Sequence, residues 1–137
     1  MFTTPCFLRH NTKDLIGKLK DLGYRPYSDD NIPYDWCIVT SFVGENNDVP
    51  YAGIWSNPPD PRCYNPIDCG NNEDLFLAIA ALRDDSDKEQ WFVSLEGHFF
   101  QSKDDVFNVG MANYIHFFPT RWHKATVEEL IKQFKER

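Results

Sequence analysis

The chain has no stretch long enough to cross a membrane as a helix. Its longest unbroken apolar run, Leu75 to Leu82, is eight residues, against the ~18–20 that a spanning helix needs. Its opening, Met-Phe-Thr-Thr-Pro-Cys, lacks the basic and then apolar regions of an export signal. No Asn-x-Ser/Thr glycosylation acceptor occurs. These absences predict a cytoplasmic protein with no membrane association. Basic residues are also few: 14 Lys+Arg stand against 21 Asp+Glu, a formal charge of −7. Phosphate backbones are held by Lys and Arg, so general nucleic-acid binding is not expected. The Gly-rich phosphate loop, the Gly-x-Ser-x-Gly elbow, His-Glu-x-x-His and Cys-x-x-Cys are all missing, which lowers the expectation of an enzyme. With neither internal repeats nor a dividing linker, residues 1–137 are expected to form one domain.

What is present is the material of a packed core. At 42% hydrophobic, 15% aromatic and 26% charged, the composition is that of a folded globular domain. A chain of this length buries about two-thirds of its extended surface, so neither disulfides nor a metal is required to hold it. Three helices share one start signal. Asn11-Thr12-Lys13-Asp14, Asn71-Asn72-Glu73-Asp74 and Thr126-Val127-Glu128-Glu129 each set a capping residue three positions before an acid. The first helix carries the stripe Leu15, Ile16, Leu19 and Leu22, and Gly23 is placed to end it in the left-handed conformation. The third carries Val127, Leu130, Ile131 and Phe134. The second, about 72–83, is apolar on every side from Leu75 to Leu82, which predicts a buried helix at the centre of the fold.

Strands are expected between the helices. Trp36 to Val43 alternates two apolar faces and reads as an interior strand, paired in a hairpin with Tyr51 to Trp55 across Gly44 to Asp48. Gln90 to Leu95 and His98 to Ser102 flank a tight turn at Glu96-Gly97, where Glu is not a favoured residue. Thr3 to Arg9 contains Pro5, which marks either an edge strand or a strand start. Asn113 to Phe118 is also strand-like. Asn57 to Cys69, with four prolines, is expected to run over the surface in extended or turn structure. Hairpin connections of this kind predict an α+β fold: one mostly antiparallel sheet of about five or six strands with three helices.

Charge is uneven along the chain. Residues 29–105 hold 16 acids and four bases, so the middle presents an acidic surface that suits a basic partner. Within or beside the Pro-rich stretch lie Trp55, Arg62 and Tyr64, and ahead of the last helix lies Trp122. Aromatics and arginine of this kind concentrate at interfaces. With Asp84, Asp85 and Asp87 they form the expected binding residues. Lys13, Lys18 and Lys20 give the first helix a local basic face. Asp85, Asp87 and Glu89 alternate like the start of a calcium loop, but no glycine or distal Glu completes it. Cys63, Cys69, His98, His116 and His123 match no zinc spacing, so neither a metal nor a cofactor is expected. Cys6 and Cys37 sit in apolar runs and read as core thiols. Cys63 and Cys69 lie in polar sequence, and their spacing leaves a disulfide open. Cys69, beside Asp68 and just ahead of the second helix, is the best-placed nucleophile, because a helix N-terminus lowers a thiol pKa.

Three segments carry a resemblance: Thr4-Pro5-Cys6-Phe7, the long run from Asp68 to Asp87, and His123 to Ile131. Together they resemble small proteins of no known activity met in Bacteroides-type gut bacteria and in their prophages and mobile elements. The resemblance implies one shared fold, a bacterial cytoplasmic setting and an accessory role, and it brings no catalytic residues. The expectation is a non-enzymatic protein acting through protein–protein contacts on its acidic surface. The alternative is a small cysteine-dependent hydrolase or redox enzyme using Cys69 or Cys63.

Overall fold

The computed structural model describes residues 4–26, 37–42, 50–55, 57, 65–83, 89–101 and 122–135. Among them run β1 (Cys6–Leu8), α1 (Lys13–Asp21), β2 (Arg25–Pro26), β3 (Cys37–Phe42), β4 (Pro50–Trp55), β5 (Ile67–Asp68), α2 (Glu73–Ala80), β6 (Trp91–Ser94), β7 (Phe99–Gln101), β8 (Trp122–Lys124) and α3 (Val127–Lys135). The class is α+β. In place of one sheet of five or six strands there are two, a five-stranded sheet in the order β2-β4-β3-β1-β5 and a three-stranded sheet in the order β7-β6-β8. The β3–β4 hairpin forms as expected, pairing antiparallel from Cys37 opposite Trp55 to Phe42 opposite Pro50. Both outer strands of the larger sheet are parallel to their neighbours, β5 to β1 and β2 to β4. For β2 the connection accounts for this: α1 carries the chain from β1 across to β2 and returns it pointing the same way. No described helix is long and apolar enough to cross a membrane.

Capping places the helices. Thr12, at φ −145°, accepts from the Leu15 N–H at 3.0 Å, and Asn72 accepts from the Leu75 N–H at 3.0 Å. Both caps lie one residue later than the sequence signal suggests. Asn11 and Asn71 are capping types too, but the chain takes Asn11 into the interior and sets Asn71 against His10, 3.4 Å from its Nδ1. At α3 the full box closes: the Thr126 hydroxyl accepts from the Glu129 N–H at 3.2 Å, and Glu129 Oε1 accepts from the Thr126 N–H at 2.9 Å. Gly23, at φ +106°, ends α1 in the expected conformation. The Tyr24 N–H reaches the Leu19 carbonyl and the Gly23 N–H reaches the Lys20 carbonyl, both at 2.9 Å, the paired bonds of a Schellman end.

The β6–β7 turn removes the objection to Glu96. Its loop is three residues long, closed by Ser94 N–H to His98 O at 2.9 Å and Gly97 N–H to Ser94 O at 3.0 Å. Gly97 at φ +87° takes the left-handed position alone, and Glu96 is not among the positive-φ residues. β1 begins directly after Pro5, whose carbonyl accepts from the Ile67 N–H at 3.0 Å. Pro5 is therefore a strand start, and β1 lies inside the sheet.

One cluster joins the elements. Leu8, Leu15, Leu19, Ile38, Leu75, Phe76, Ile79, Val93 and Leu130 are buried in it together. From Leu75 to Leu82 every residue of α2 and its cap is buried except Leu77, which is half-buried, while Asp74 at the helix start is exposed. The end of α2 is closed by buried side chains. Tyr24 donates its hydroxyl to Ala80 O at 2.6 Å, and Gln90 Nε2 donates to the carbonyls of Ala81 at 3.3 Å and Arg83 at 3.0 Å. The helix ends at Ala80, ahead of the acidic run that begins at Asp84 in the sequence.

Candidate functional site

Cys69 fails the test for a nucleophile. Parallel pairing places Ile67 opposite Cys6 and carries Cys69 into the core, with its N–H on Phe7 O at 2.9 Å. The residue is 2% exposed. A hydrogen bond with the Cys6 thiol, reinforced by burial, pushes the Cys69 thiol far above its ordinary pKa. At the helix N-terminus that was expected to favour the thiolate, Asn72 takes up the Leu75 N–H, and contact with Cys6 and desolvation dominate at Cys69. Cys6 itself donates to Phe76 O at 3.7 Å and lies 3.5 Å from Thr40 Oγ1. Cys6, Cys37 and Cys69 are free buried thiols. Burial raises Cys37 as well, with Asp68 adding to it and Arg9 opposing it. Cys63 lies outside the described residues.

Beside these thiols, Arg9 Nη2 donates to Asp68 Oδ2 at 2.6 Å, and Asp68 Oδ1 accepts from the Gly70 N–H at 2.8 Å. The Arg9 hydrogen bond holds the Asp68 carboxyl below its usual range despite partial burial. The Arg9 guanidinium also lies 5.6 Å from the centre of the Phe7 ring. This exposed pair ties the ends of β1 and β5 together.

Of the expected binding residues, Trp55 and Trp122 lie among the described ones. Trp55 ends β4 opposite Cys37, and Trp122 opens β8 opposite Ser94, so each belongs to a paired strand rather than a loop. Arg62, Tyr64, Asp84, Asp85 and Asp87 lie outside the described residues, as do His116 and the segment Asn113 to Phe118. His123 Nε2 lies 2.8 Å from Glu129 Oε1. His98 takes part in the β6–β7 turn through its backbone N–H on Ser94 Oγ at 3.0 Å. The basic face on α1 is partly neutralised: Lys18 Nζ donates to Glu73 Oε1 at 3.0 Å, which raises its pKa.

Two surface features stand out that the sequence reading did not single out. The first is the β6–β7 hairpin. Leu95 at its tip is 71% exposed and Phe100 on β7 is 43% exposed, and these are the large hydrophobics that the described surface leaves open. The same stretch, 84–105, holds seven acids and two bases. The second is a cleft of about 330 Å³ lined by Lys18, Asp21, Leu22, Leu77, Glu89 and Gln101. Here α1, α2 and β7 meet. Gln101 is held by its Nε2 donating to Glu89 O at 3.0 Å, and Glu89 stands at φ +60°. The one sequence signal for this cleft was Leu77, an apolar residue on the side of α2 that a partly exposed helix would make polar. A second cleft of similar volume runs from Thr4 past Arg83 to Val127. It abuts the start of α3, whose first N–H groups are already closed by Glu129 and Thr126. No protein-family model, curated protein or solved structure matches this chain, so the reading of these surfaces rests on their own chemistry.

Proposed function

We propose that this chain is a non-enzymatic accessory protein that docks on another protein through the acidic surface of its middle region. The observation that carries this reading is the β6–β7 hairpin, where Leu95 and Phe100 are held in water within a stretch of strongly acidic sequence. Paired strands and a closed turn hold Leu95 in place before binding, so little ordering entropy is lost at contact. An exposed apolar anchor carried in acidic sequence can supply an interface with both affinity and steering. Burial of Cys69 and the upward push on its thiol pKa favour this reading over the cysteine-dependent alternative. The test is capture of a stoichiometric partner by the tagged chain from its own cells. Recovery should be strong at low salt and lost at about 0.5 M salt, where charge attraction is screened within a few ångströms. Leu95→Ser, at an exposed tip, should weaken capture while leaving the fold intact. A monodisperse protein with no partner at low salt would sink the reading, as would a partner indifferent to both changes.

A further inference from the structure

We draw no further inference here: the strongest candidate, the buried thiol pair of Cys6 on β1 and Cys69 just after β5, belongs to the site already described, and the contact and burial that push the Cys69 thiol up oppose the thiolate that oxidation or metal capture would need.

Discussion

Gly17 and Gly23 lie close together in sequence, yet replacement by alanine should act on them with opposite sign. Gly23 holds φ +106°, and the Arg83 guanidinium occupies the place a Cβ would take. That guanidinium also donates to Leu22 O and lies 5.8 Å from the centre of the Tyr24 ring, so it cannot withdraw without breaking both contacts. Gly23→Ala should cost on the order of 1–3 kcal/mol. Gly17 sits inside α1 with nothing within 4 Å of its Cβ position. Gly17→Ala should stabilise the protein by about 0.5–1 kcal/mol, because the glycine spends backbone entropy with no return. Urea unfolding of the two variants reads both signs directly. The thiols give a second residue-scale outcome. Cys69 reacts as a thiolate only if its proton leaves, and contact with Cys6 together with burial opposes that. Native protein should therefore resist iodoacetamide at Cys6, Cys37 and Cys69, with labelling of their tryptic peptides appearing only in denaturant. Rapid labelling of Cys69 in the native state would return the enzyme reading.

The capping box of α3 makes an element-scale prediction about acid. Burial pushes the Glu129 carboxyl up, but the Thr126 N–H and His123 outweigh it and leave the pKa lowered. A carboxylate with a lowered folded pKa contributes stability that is complete above its unfolded pKa and disappears as pH falls through the folded one. Glu129→Gln should therefore lower stability at neutral pH and flatten its fall below about pH 4.3, the ordinary glutamate value. Asp68 is shifted the same way by Arg9, so part of the acid response remains in the variant. Thr126→Ala should cost about 0.5–2 kcal/mol at neutral pH. Chemical denaturation across pH measures all three responses. These caps also show what the sequence could and could not say. The helices were legible because caps, stripes and Gly23 act within a few neighbouring residues. The β3–β4 hairpin was legible because its alternation survives in the chain. β2, β5 and β8 were not, being two or three residues long with a proline in β2. Such strands are defined by the neighbour that pairs with them. For the same reason Cys69 read as a surface thiol and proved to be core. The cleft at Leu77 requires α1, α2 and β7 to meet, a fact that no local pattern in any of them encodes.

At the scale of the whole molecule, charge sets a sign that separates folding from binding. The chain carries −7, with its acids concentrated between residues 29 and 105. Like charges held on one compact body repel one another, and added salt screens that repulsion. Salt also weakens ion pairs, but Arg9–Asp68, Lys18–Glu73 and His123–Glu129 each have at least one partner about half exposed. Exposed pairs contribute little, about 0–1 kcal/mol each. Relief of repulsion should exceed their loss, so the melting temperature should rise as NaCl increases from about 0.01 to 0.15 M, over which the screening length shrinks from roughly 30 to 8 Å. Docking by the acidic surface should weaken over the same range, because its attraction is screened by the same ions. A calorimetric series and a binding series at matched salt must therefore run in opposite directions. Parallel loss of stability and binding would mean that salt acts by unfolding the protein, and charge attraction would then have no part in holding the partner.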